Sequence, residues 1–194
     1  MAGSTLLELM VTVSIVGILL AVGVPQMSDW IRRNSVASAA EVLQNGLRQA
    51  ESEAIRRNAF AEFLLTNGTP SSSETLTATE NGANWAIRML DSSYTAVAGG
   101  YVNGFKTTDV SSALVISGPA SLVFNGMGRA LNATGVPITA TQVYRFSRAG
   151  TDRAYCVFVT SGGSVKMCDP DQDSGKPRAC QPVLSLAQCP KAGS

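Results

Sequence analysis

The chain contains no histidine. That removes the side chain best suited to moving protons near neutral pH, and with it the commonest metal ligand. Aromatic residues make up only 6% of a chain that is 45% hydrophobic, so its apolar content is mostly Ala, Val, Leu and Ile. Charge of either sign is scarce as well. Fifteen Lys and Arg face fourteen Asp and Glu, and a formal net charge of +1 gives no overall pull toward nucleic acid or acidic surfaces. Serines are plentiful, but no G-x-S-x-G elbow and no histidine base accompany them. Gly99-Gly100 and Gly126-x-Gly128 lack a phosphate-loop context and read as turns. These absences make an enzyme the weakest of the functional classes open to the chain, and they imply no cofactor.

Cysteine is absent from the first 155 residues and then occurs four times, at Cys156, Cys168, Cys180 and Cys189. An even count in a loop-rich tail points to disulfides and an oxidising compartment. Spacings of 12, 12 and 9 contain no C-x-x-C knuckle, so no metal site is expected. Two bridges are expected, with Cys168–Cys180 closing an acidic turn and Cys156–Cys189 fastening the terminus to a strand. A competing pairing, Cys156–Cys168, would place the two opposite each other across a hairpin. The acidic turn, Asp169-Pro170-Asp171-Gln172-Asp173, departs from a calcium loop, which needs glycine at position six and glutamate at position twelve. It reads as a solvated turn.

Apolar residues concentrate at the other end. Leu9 to Val24 is a run of sixteen residues without a charge. A spanning helix needs about 20 residues, and that length is reached only by taking in Leu6, Leu7 and Glu8. Glu8 invites a local explanation, the capping box Thr5-Leu6-Leu7-Glu8. A carboxylate in a membrane helix, however, is costly and tends to have a partner. A secretory signal peptide fits poorly, because no A-x-A-like cleavage site follows and the pattern turns directly into an amphipathic helix.

Gly3-Ser4-Thr5-Leu6-Leu7-Glu8-Leu9-Met10-Val11 resembles the processing and assembly motif of type IV pilins and type II secretion pseudopilins, with Gly17 and Pro25 also in register. Ser4 stands where the family usually has phenylalanine. The resemblance implies cleavage after Gly3 by a prepilin peptidase, methylation of the new N-terminus at Ser4, and assembly through Glu8 and Pro25. It also implies a single-pass anchor in the inner membrane, a periplasmic C-terminal domain, and other pilin or pseudopilin subunits as partners. Arg32 and Arg33 follow the span and by charge alone argue for the opposite orientation; the cysteines and the motif favour the periplasm. Burial of the freed α-amine in a packed filament would call for a counter-ion, which Glu8 of a neighbour can supply.

Residues 26–58 continue as a helix whose face carries Val36, Ala40, Leu43, Leu47, Ala50 and Ala54 at alternating steps of four and three. Pro25 removes one internal hydrogen bond and should bend or loosen this helix. Beyond Asn58 the period shortens. Strands are expected over 59–66, 85–91, 113–116, 121–125, 142–147, 154–160 and 164–168, with Ser161-Gly162-Gly163 turning the last hairpin. Trp85 reads as core, and Trp30 as an interfacial anchor or a plain helix contact. The fold class is α+β, a long N-terminal helix packed on a small antiparallel sheet. Its divisions are a residual leader over 1–3, an assembly helix over 4–25, its amphipathic continuation over 26–58, and a β-rich domain over 59–194. Trp85, the stretch Leu122-Val123-Phe124-Asn125-Gly126-Met127-Gly128-Arg129, and the C-terminal hairpin are similar to the GspH/FimT minor pilins and pseudopilins.

The resemblance implies a structural minor subunit, with a pilin-like DNA receptor as the alternative. DNA-binding members carry a G-R-x-R-type motif where this chain has Gly163-Ser164-Val165-Lys166, without the arginine fork. Candidate contacts are Arg145, Arg148, Arg153 and Lys166. Over residues 145–178, six cations face four aspartates. Weak DNA binding, or none, is expected.

Overall fold

The computed structural model describes residues 6–193, the side chain of Pro25 excepted. Gly3, Ser4 and Thr5 of the processing motif lie outside the described residues. A single helix, α1, runs from Leu6 to Arg57 and continues through Pro25 without a break. Its end is built from local chemistry. Glu53 pairs with Arg56 at 2.6 Å and Arg57 at 2.8 Å, placing two cations at the negative pole of the helix. Asn58 then adopts φ 47°, its amide bonds back to Ile55 O, and the Ala59 amide reaches Ala54 O. This is a Schellman closure with asparagine in the left-handed position.

Nine strands follow: β1 (Phe60–Thr66), β2 (Asn84–Leu90), β3 (Ala96–Lys106), β4 (Leu114–Ser117), β5 (Ser121–Phe124), β6 (Ala130–Leu131), β7 (Gln142–Arg148), β8 (Tyr155–Val159) and β9 (Val165–Cys168). They form two sheets where one was expected. Five strands run in the order β3-β2-β1-β5-β6 and four in the order β4-β7-β8-β9, and every strand pairing is antiparallel. The division has a physical origin in β7, whose Tyr144 and Phe146 point into the same core as Phe63 of β1 without sharing its hydrogen-bond ladder. Two strands were not anticipated, β3 and the two-residue β6. The longer, β3, holds Gly99, Gly100 and Gly104 and pairs with β2 through register shifts, so it shows little apolar alternation.

The C-terminal half of α1 lies across both sheets. Val36, Ala40, Leu43, Leu47, Ala50 and Ala54 are all fully buried, and Ala39 nearly so. Beneath them, Phe105, Trp85, Phe63 and Tyr144 make a chain of ring contacts, with centroids 6.0, 5.2 and 5.6 Å apart. The last contact, edge-on, joins the two sheets. Tyr144 is fully enclosed, and burial, followed by the Glu62 charge, pushes its phenol far above the usual range. On the far face of the first sheet, Glu62 and Arg88 sit opposite one another in register and pair at 2.6 Å, while Arg88 also donates to Leu76 O. That second bond ties down the loop between β1 and β2.

Gly46 sets how closely helix and sheet approach. A Cβ there would lie 2.6 Å from the outer ring of Trp85, which is itself wedged between Phe63 and Phe105. Gly46→Ala should gain about 1 kcal/mol of helix propensity and still lose stability overall, by about 1–3 kcal/mol through overpacking. Denaturant unfolding of the variant measures this; an increase in stability would show that the ring has room to move.

Candidate functional site

Two regions hold the residues singled out from the sequence. The first is the N-terminal half of α1. Glu8 lies in its first turn and is exposed in the isolated subunit, as are the described side chains from Leu6 to Met27. Leu6, Leu7, Met10, Ile18 and Leu19 each leave roughly two thirds or more of their surface uncovered. Stripping this much aliphatic surface from water is worth about 25 cal/mol per Å², so the segment is stable only against lipid or other protein. Among the described residues, α1 is the one helix long and apolar enough to cross a membrane. The subunit thus presents a bare apolar rod that is one continuous helix with the part packed in the domain.

The second region is the tail. The disulfides are Cys168–Cys180 and Cys156–Cys189, with Cα separations of 4.9 and 6.2 Å. The hairpin does set Cys156 and Cys168 opposite one another, yet neither bonds to the other. Both strands turn these side chains away from α1, onto the outer face of the second sheet. There Cys156, Phe158, Cys168, Cys180, Leu184 and Cys189 form a separate buried cluster. The bridges therefore hold the tail down as a cover over that face. Among the described residues, the only group of side chains convergent enough for a metal is Cys168, Cys180 and Cys189, whose sulfurs are already in disulfides. The acidic turn is structured from within. Asp169 is buried, accepts the Asp171 amide at 2.9 Å and pairs with Arg153 at 3.4 Å, and its own amide bonds to Arg178 O.

The candidate DNA contacts do not form one surface. Arg145 donates to the carbonyls of Pro190 and Lys191 and locks the end of the tail. Arg148 donates to Ser35 Oγ on α1, and Arg153 is held by Asp169. Lys166 is exposed on β9. Three of the four cations are thus engaged in internal contacts with different partners.

Gly163 has a structural duty that the sequence did not disclose. It sits at φ 90°, and a Cβ there would collide with the Gly128 carbonyl. Its turn packs on the turn after β5, next to Glu51, whose carboxyl is pushed up by burial against the opposing pull of Arg48. Sequence reasoning also missed the pairing of Arg33 with Asp152, at 2.9 Å. Nothing local links residues so far apart.

Non-reduced peptide mapping should recover Cys168–Cys180 and Cys156–Cys189. Recovery of Cys156–Cys168 would contradict the tail as described. Replacing both Cys168 and Cys180 by serine should lower unfolding stability by about 2–4 kcal/mol, while the first sheet and its contact with α1 persist.

The family model for "Type II transport protein GspH" matches residues 39–163, well over half of the chain. The fold is similar to that of the type IV minor pilin FimU from Pseudomonas aeruginosa strain PAO1. That likeness has a TM-score of 0.52 at 17% identity and covers 78% of this chain and 98% of FimU. The minor pseudopilin EpsH from the type 2 secretion system of Vibrio cholerae aligns over 71% of this chain and 99% of its own, at 12% identity and a TM-score of 0.48. With its helix laid across antiparallel sheets and the matched region taking in both, the chain belongs to the GspH family.

Proposed function

We propose that the protein is a structural minor subunit of a type IV pilus or a type II secretion pseudopilus. One observation carries this reading: the uncovered apolar half of α1 is continuous with the half buried in the domain. Such a helix is held by lipid before assembly and by the helices of other subunits afterwards. Residues 4–25 form the anchor in the inner membrane, 26–58 extend it into the domain, and 59–194 occupy the periplasm, where the two disulfides form and persist. Prepilin peptidase cleaves after Gly3, and Ser4 then carries the methylated α-amine. Glu8 supplies the counter-charge for that amine on a neighbouring subunit, because neither charge is stable alone inside a packed apolar filament. Pro25 marks the point where the helix can yield during assembly. The work done is assembly, with no catalytic step assigned.

The DNA-receptor alternative gains no support from the basic residues of the tail. Arg145, Arg148 and Arg153 are engaged elsewhere, which leaves Lys166 without an arginine fork beside it. Affinity for duplex DNA grows with the number of phosphates neutralised.

Glu8→Ala should leave the domain folded and the protein inserted in the membrane, but lower its incorporation into sheared filaments by at least about tenfold, equivalent to ~1.4 kcal/mol. Incorporation at the wild-type level would rule the pairing out. In a separate titration with labelled duplex DNA at physiological salt, no binding in the micromolar range is expected. Micromolar binding weakened by Lys166→Ala would revive the receptor reading.

A further inference from the structure

Between α1 and the stapled tail lies a groove of about 400 Å³, lined by Trp30, Arg33, Arg153, Tyr155, Gln172 and Arg178, with Glu41 at its far end. Its height relative to the bilayer follows from the helix. Leu9 through Ser28 contains no charged residue, and Asp29 is the first charge after Glu8. Those twenty residues measure about 30 Å as a helix, the thickness of a hydrocarbon core, so on this count the membrane boundary lies three residues beyond residue 25. Trp30 therefore stands at the membrane boundary, and Arg33 about 7.5 Å above Ser28, within the headgroup layer. Trp30 is 62% exposed there, as an interfacial tryptophan would be.

On α1 the groove's two charges follow this axis. Glu41 is two helical turns beyond Arg33, away from the membrane. Asp169 is buried and occupied by Arg153 and by the amide of Asp171. Arg33 is held on its other side by the exposed Asp152, which accepts from its Nε at 2.9 Å and its Nη2 at 3.0 Å. Arg178 has no ion pair among the described residues. Its carbonyl accepts from the Asp169 amide, inside the loop that Cys168–Cys180 closes. The groove thus sets the Arg178 guanidinium in the same lining as the Trp30 ring, on a loop that a disulfide closes.

We propose that this groove binds the phosphodiester headgroup of an anionic phospholipid in the leaflet from which the domain emerges. Arg178 contacts the phosphate oxygens, and Trp30 packs along the glycerol region. Guanidinium forks match phosphate oxygens in geometry as well as charge. The bound headgroup fixes how the domain sits on the membrane before the subunit leaves it. The inference rests on the membrane-anchored reading above.

The test uses the full chain reconstituted in nanodiscs of phosphatidylcholine alone or with one-third phosphatidylglycerol. Native mass spectrometry counts the lipids retained. At least a tenfold preference for phosphatidylglycerol is expected, falling to near unity in Arg178→Ala and partly restored in Arg178→Lys. No preference, or a preference unaltered by Arg178→Ala, would overturn the site. Glycerol phosphate is titrated in parallel against the phosphatidylcholine sample. If it binds as well as the lipid and displaces it, the groove is a site for free phosphate esters and the lipid assignment is wrong. Failure of the chain to enter bilayers at all would instead overturn the anchored reading. Circular dichroism of each variant confirms that the fold is intact.

Discussion

Everything in this molecule depends on how closely one helix can approach two sheets. The contact face of α1 is made largely of small residues, Ala39, Ala40, Gly46, Ala50 and Ala54, with Leu43 and Leu47 between them. Small side chains let the helix backbone settle onto the aromatic chain that runs from Phe105 to Tyr144. That chain bridges two sheets that share no hydrogen-bonded strand, so the helix and the rings together make one core from two ladders. Loss of that approach would separate the sheets as well as release the helix.

The same helix explains why the domain alone is an incomplete description. Apolar burial stabilises α1 from Val36 onward, whereas from Leu6 to Met27 no described part of the chain covers its described side chains. A water-exposed rod of this composition has no reason to remain monomeric outside a membrane. Folding and assembly are therefore divided along one element, with its C-terminal half satisfied within the subunit and its N-terminal half by surroundings the subunit must find.

Much of this was legible in the sequence, for identifiable reasons. The helix face from Val36 to Ala54 repeats at helical spacing, and each residue named from that pattern is buried. Strand β7 alternates, β8 is a continuous apolar run, and the turn at Gly163 sets off the last hairpin. The longest strand, β3, was invisible because it lies at a sheet edge, is rich in glycine and is partly exposed on both faces. The second sheet was missed because alternation reveals which side of a strand is buried but not which strand lies next to it. At the candidate site, the cysteines announced disulfides, and strand register kept Cys156–Cys168 open as a competitor to the pairing with Cys189. Only the path of the tail across the outer face decides between them. The groove near Trp30 assembles residues from α1, β8 and the tail, and no local pattern encodes such a meeting.

The central claim is that the exposed half of α1 exchanges lipid for protein when the subunit enters a filament. Photo-crosslinking from an unnatural amino acid placed in turn at Ile15, Leu19 and Val22 of the full chain tests it most directly. Before assembly these positions should yield adducts to lipid only, and in sheared filaments they should yield adducts to other pilin or pseudopilin subunits. Lipid-only adducts in isolated filaments, or subunit adducts that are no more frequent there than in unassembled membranes, would contradict it.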